Sequence, residues 1–192
     1  MSAHIPTQEG LFGITSLLEY RLDTAKPIRE LTQTLLRGPS TLSEGERELI
    51  ATVVSHRNAC RFCTAAHTAA ADLLLGDSTT TEAVKHDIDE APVSPKMKAL
   101  LRIAAKVQDN GRLVTEQDVA AARDEGATDL ELHDTVLIAA LFSLYNRYVD
   151  GLASVMPDDP AFYRNLADRL VTRGYVRPPG AFVPVTATVS GS

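Results

Sequence analysis

Residues 43–67 read SEGERELIATVVSHRNACRFCTAAH. Ser43 followed three places later by Glu46 is a capping box, in which each side chain satisfies the other's free backbone N–H. It predicts a helix from residue 44 to about 56, with Leu49, Ile50, Val53 and Val54 on its buried side. Arg57-Asn58-Ala59 reads as a short break, and a second helix follows from about Cys60 to Leu75, stopped by Gly76. A helix advances about 100° per residue, so Cys60, Cys63 and His67 fall within about 60° of one another and form one stripe. His67 follows Cys63 by four, which makes their side chains neighbours. A helix start carries free N–H groups and partial positive charge, and both favour a thiolate. A nearby imidazole takes the thiol proton or stabilises the thiolate. If the two helices pack as an antiparallel hairpin, Glu48 and His67 lie at similar heights, at roughly 1.5 Å per residue from the break. Glu48 shares a small polar strip with Thr52 and Ser55, and from there it is placed to orient His67 and raise its basicity.

Outward from this hairpin the chain reads as all-helical. A helix is expected over 13–23, and Pro27 is expected as the first residue of another running to about Arg37. A short helix near 81–86 follows. Ser94-Pro95 opens a helix to about Asn110, and Thr115 opens one that ends at Gly126. Thr128 with Glu131 is a second capping box and opens the longest helix, to about Ala153. Asp159-Pro160 opens the last, to Arg173 before Gly174. We read one helical domain over residues 1–174 and an extended or disordered tail over 175–192, which carries three prolines and no periodicity. SEGERELIATVV and SPKMKALLRIAA echo one another in their opening serine and apolar pairs, Leu49-Ile50 and Leu100-Leu101. The second copy lacks cysteine, so the chemistry belongs to the first.

With 44% apolar and 23% charged residues among 192, the composition is that of one ordinary globular domain. A net charge of −6 argues against nucleic acid, which needs a basic face. No signal peptide and no membrane-length apolar run is visible. The expected compartment is the cytoplasm, where a CxxC pair is redox-active or metal-binding more often than a structural staple.

The cysteines have other readings. Free Cys packs well as a small buried hydrophobe. Cys60, Cys63 and His67 supply three zinc ligands, but structural zinc takes four and no fourth is evident. We therefore expect neither metal nor cofactor. Asn146, Arg147 and Asp150 form a polar strip on an otherwise apolar helix, expected to serve a buried hydrogen-bond network or a subunit contact. His86 and His133 read as surface residues, and Tyr145 and Tyr148 as core or interface.

Glu48, Cys60-x-x-Cys63 and His67, with the ERELI block before them and YNRYVDGLA (residues 145–153) later, resemble the alkylhydroperoxidase D-like, carboxymuconolactone decarboxylase-related superfamily, and its peroxidase-related branch in particular. The resemblance implies an all-α fold assembled as trimers or hexamers of trimers. It implies a thiol peroxidase site made of Glu48, Cys60, Cys63 and His67, acting on hydrogen peroxide or organic hydroperoxides. Its reductant would be a lipoyl or thioredoxin-like dithiol protein. The best-known members carry a second histidine just before the second cysteine; Phe62 stands there, and His56 is a weak substitute. Cys63 is the preferred attacking thiol. The alternatives are a redox sensor or disulfide exchanger using the same pair, a lactone decarboxylase, whose branch typically lacks the cysteines, and a structural helical oligomer. The helix over 130–153 is apolar almost all round, which suits a subunit interface.

Overall fold

A computed structural model describes residues 2–180 and 182, and among them there are nine α-helices and no strand. In chain order these are α1 (Gly13–Tyr20), α2 (Leu22–Arg37), α3 (Glu44–Arg57), α4 (Arg61–Leu75), α5 (Thr79–His86), α6 (Pro95–Asn110), α7 (Glu116–Asp124), α8 (Asp129–Gly151) and α9 (Pro160–Arg173). The all-α expectation holds, and the caps explain where the helices begin. Glu46 Oε2 accepts from the Ser43 N–H at 2.8 Å, and Ser43 Oγ accepts from the Glu46 N–H at 3.2 Å. Thr128 and Glu131 close the same box, and Thr115 with Asp118 a third. Ser94 Oγ accepts from the Met97 N–H, with Pro95 in the first turn. Gly76, at φ +68°, ends α4 in the left-handed region open to glycine.

Two boundaries differ from the sequence reading. α1 stops at Tyr20, because Arg21 takes extended backbone at φ −137° and ψ 91°. α2 begins at Leu22, and Pro27 lies inside it. Asp23 fixes the first turn ahead of the proline by accepting from the Thr24 N–H at 3.0 Å and pairing with Arg21.

Two apolar clusters share the interior. The larger joins α2, α3, α6 and α8 through Leu36, Ile50, Leu101, Ile138 and Phe142. The smaller joins α1, α4, α9 and the end of α8 through Leu17, Ala66, Val149 and Leu166. The α3–α4 hairpin lies between them. Its helices meet over small buried residues, Ala51, Thr52 and Ser55 on α3 and Ala66, Ala70 and Ala71 on α4. Small side chains let the two backbones approach, and this sets the height at which Glu48 faces His67.

Glu131 ties the fold to pH. Its side chain is 1% exposed and accepts from Lys96 Nζ at 2.8 Å, Thr41 Oγ1 at 2.8 Å and the Thr128 N–H at 2.7 Å. Burial alone would raise its pKa, but Lys96, the Thr128 amide and Thr41 outweigh it and hold it at about 2, against an ordinary 4.5. A carboxylate with a depressed folded pKa stabilises the fold fully above its unfolded pKa, and that contribution is lost as pH falls toward 2. The expected contribution is about 3 kcal/mol. In melts run between pH 2 and 6, Glu131→Gln should flatten the acid side of the stability profile.

Candidate active site

Glu48 is fully buried at the centre of the hairpin. Its Oε2 lies 2.7 Å from His67 Nδ1. Its Oε1 accepts from Arg37 Nη2 at 2.6 Å and from the Tyr175 hydroxyl at 2.5 Å. Burial would raise the Glu48 pKa, but His67, Arg37 and Tyr175 together bring it below its ordinary value. Glu48 is thus a carboxylate at neutral pH, so His67 Nδ1 donates to it and Nε2 is left as the basic nitrogen. Burial, and then Glu48, push the Tyr175 hydroxyl well above its usual range, so it stays a donor. The His67 ring meets Phe142 edge-on at 4.5 Å between centroids and stacks on Tyr175 at 6.2 Å and 10°. The Arg37 guanidinium covers the other part of the cluster, 5.0 Å from the Tyr175 centroid.

The turn between α3 and α4 places the thiols. Ala59 sits at φ +56°, left-handed backbone that a residue with a Cβ adopts at a cost of about 1 kcal/mol. Cys60 is the N-cap of α4 and its N–H bonds to Ser55 O at 3.1 Å. Cys63 lies one turn on, inside the smaller apolar cluster. Both thiols are free and buried. The Cys60 contact and burial push the Cys63 thiol well up, against a smaller downward pull from the Asn146 amide. Cys63 therefore rests as a thiol. This corrects the expectation that the helix start and His67 favour thiolate: burial and the neighbouring thiol outweigh the helix end. His67 also makes no hydrogen bond to sulfur among the described residues; its polar contact is Glu48.

The polar strip on α8 reaches both cysteines. Asn146 Nδ2 donates to Ser55 Oγ at 3.1 Å, and its Oδ1 accepts from Asn58 Nδ2 at 2.8 Å. Asn58 Oδ1 in turn accepts from Gln108 Nε2 at 2.8 Å. This is the expected buried network, and it fixes the 58–60 turn against α6 and α8. Asp150, one turn beyond Asn146, lies beside Cys60; burial raises its pKa and the Cys60 contact lowers it. Asp150 is itself exposed, so it links a buried thiol to solvent. His56 is exposed and takes no part in this cluster.

Phe62 occupies the position between the cysteines and packs among aromatic rings, 6.0 Å from Tyr163 and 6.4 Å from Phe162. It carries no proton. A cavity of about 60 Å³ beside Phe62 and His67 has room for about two waters. Phe62 leaves no room above it: a Cβ on Gly13, which is at φ +53°, would stand 2.1 Å from Phe62 Cζ. Gly13→Ala is expected to destabilise by about 2–3 kcal/mol, from strain and overpacking together. Thermal melts check this, and a wild-type melting point would show that Phe62 yields freely.

Hairpin geometry correctly faced Glu48 with His67. It missed Arg37 and Tyr175. Arg37 reads as an ordinary basic residue at a helix end, and Tyr175 comes from a segment without periodicity. Among the described residues no group of three His, Cys, Asp or Glu side chains is placed to hold a metal.

A helical hairpin with two free thiols at its turn and a buried Glu–His pair at its middle defines an all-α CxxC protein. Residues 23–72 match the carboxymuconolactone decarboxylase family. The fold is similar to an uncharacterized peroxidase-related protein from Silicibacter sp. TM1040, at 29% identity and a TM-score of 0.72, covering 79% of this chain and 78% of that one. It is also similar to the alkylhydroperoxidase AhpD core of an uncharacterized peroxidase-related protein from Ralstonia eutropha JMP134, with a TM-score of 0.77 over 87% of this chain and 97% of that one. At 23% identity the second likeness concerns the fold alone. No curated protein matches the chain. The match over residues 23–72 and the shared fold make the chain similar to the AhpD-like, carboxymuconolactone decarboxylase superfamily.

Proposed function

We propose that the chain is a thiol-dependent peroxidase that reduces hydrogen peroxide or organic hydroperoxides through a Cys60–Cys63 dithiol/disulfide cycle, with Glu48 and His67 as proton relay. The observation that carries this reading is the 2.7 Å Glu48–His67 hydrogen bond on the helix that also carries two free thiols. Cys63 is the attacking thiol. A negative charge on its sulfur faces the Asn146 amide, and His67 follows it by one helical turn. The Cys63 proton passes through water to His67 Nε2. The thiolate then attacks the O–O bond: sulfur gains one oxygen, and the alkoxide takes the proton back from His67 and leaves as alcohol. Cys60 attacks the resulting sulfenic acid, Asp150 takes the Cys60 proton and hands it to the departing hydroxide, and water leaves as the disulfide closes. A dithiol protein of the lipoyl or thioredoxin-like kind returns the pair to the reduced state by exchange.

A homo-oligomer, trimeric or hexameric, fits the outer face of α8, where Leu130, Val136 and Leu144 are exposed. Among the described residues no helix is long and apolar enough to cross a membrane. A reducing cytoplasm suits a pair that works from the dithiol state.

The elevated Cys63 pKa favours a second reading, a disulfide exchanger with slow peroxide turnover. Cys60→Ser separates the two. With peroxide and a sulfenic-acid probe, the peroxidase reading expects Cys63 of this variant to be trapped within seconds and detected by mass spectrometry. Slow labelling, no faster than that of free cysteine, supports the exchanger.

A further inference from the structure

Three guanidiniums gather beside the His67 cavity, and two of them share one carboxylate. Arg29 Nη2 donates to Glu19 Oε1 at 3.1 Å, and Arg177 binds the same carboxylate at 2.8 Å. Arg29 is 7% exposed, and its Nε is buried without a partner. Arg169 pairs with no acid among the described residues; its charged neighbours are Arg29 and Arg173, and its guanidinium lies 5.0 Å from the Phe182 centroid. Arg29 lies on the other contact of that ring, at 5.1 Å. Both Arg29 and Arg169 line the cavity of about 60 Å³ that His67 lines. At Arg169 and Leu166 this cavity adjoins a groove of about 410 Å³, walled mainly by Leu11, Phe12, Pro157 and Phe162.

An unpartnered buried N–H on a cation is costly unless something fills it. Here the excess is two positive charges, from three arginines against one glutamate. The small cavity takes a group of carboxylate size and little more. The adjoining groove is apolar and takes a hydrocarbon chain. We propose that Arg29 and Arg169 form an anion subsite for the carboxylate of an amphipathic organic acid whose hydrocarbon body lies in the Phe12/Phe162 groove. Resting on the peroxidase reading, the site prefers acid-bearing organic hydroperoxides over hydrogen peroxide and neutral ones. The acid group is held by guanidinium hydrogen bonds, the pairing whose geometry suits carboxylates.

Binding and turnover are tested separately, so that failure of one is not failure of the other. Calorimetry on the reduced full chain with octanoate and with 1-octanol reads the subsite without any peroxide. Octanoate is expected to bind at least tenfold more tightly, the scale of charged hydrogen bonds. Arg169→Gln, a partly exposed position, is expected to bring octanoate to the level of octanol and to leave octanol unchanged. Equal affinity for the two probes, no binding of either, or an Arg169→Gln protein that keeps its octanoate affinity would overturn the subsite. A fatty acid hydroperoxide is then compared with its methyl ester. At least a tenfold preference for the free acid, lost in Arg169→Gln, supports the substrate assignment. Equal fast rates overturn it while leaving the peroxidase reading intact. Octanoate binding with no turnover of either peroxide keeps the subsite and overturns the peroxidase reading.

Discussion

Glu48→Ala is expected to unfold about 10 °C below the wild type and to react with peroxide about a hundredfold more slowly. The first number follows from burial. Glu48 is fully enclosed and balances Arg37, whose side chain is only 5% exposed. Removing one member of a buried ion pair leaves the other charge stranded and costs about 3–5 kcal/mol. In a domain of this size that is a shift of about 10 °C. Glu48→Gln keeps the shape but not the charge, so it recovers only part of the loss. The second number follows from His67. Without the carboxylate nothing holds Nδ1 protonated, and the ring loses the orientation that presents Nε2. Losing a positioned base typically costs about 10² to 10⁴ in rate. The same carboxylate sets an acid limit. Its folded pKa lies below the ordinary 4.5, so its stabilisation is complete above that pH and is lost as pH falls through the folded value. Melts and peroxide-driven thiol loss, measured on the same preparations, check both numbers. A variant as stable and as fast as the wild type would remove Glu48 from the account.

Cys63→Ser is expected to abolish peroxide-driven oxidation, while its melting point moves little. Serine is close to cysteine in volume, and the Asn146 amide beside the site is able to bond to a hydroxyl. The proposed cycle has no substitute for Cys63, since Cys60 acts there only on the sulfenic acid that Cys63 forms. Titration of thiols with and without peroxide reads the outcome. If Cys63→Ser still loses its remaining thiol rapidly, and Cys60→Ser does not, the attacking role belongs to Cys60.

Much of this architecture is local and therefore visible in the sequence. The Ser43/Glu46 and Thr128/Glu131 boxes, Ser94-Pro95, Asp159-Pro160 and the stop at Gly76 act within one helical turn. Residues three or four apart suffice to place them. The Glu48–His67 pair was legible because a short connection forces two helices into register. What was not legible depends on distance. Tyr175 meets Glu48 across 127 positions, from a segment without periodicity. The end of α2 brings Arg37 to Glu48 only once the helices have packed. The strip of Asn146 and Asp150 was visible as a strip, but not that its two polar groups stand beside Cys63 and Cys60 respectively. The protonated state of Cys63 was hidden for the same reason. A helix start is read from sequence, whereas the burial that helps outweigh it, beside the Cys60 thiol three residues away, comes from packing against α9 and α8. Residues 181 and 183–192 of the tail lie outside the described residues.

The central claim is that this dithiol reacts with peroxide as an enzyme does. Stopped-flow oxidation of the reduced wild-type chain by hydrogen peroxide and by cumene hydroperoxide, at neutral pH beside free cysteine, tests it most directly. The account predicts oxidation at least a hundredfold faster than free cysteine by one of the two peroxides, ending in one Cys60–Cys63 disulfide per chain. A rate equal to that of free cysteine with both peroxides would contradict it and leave the pair as a slow disulfide exchanger.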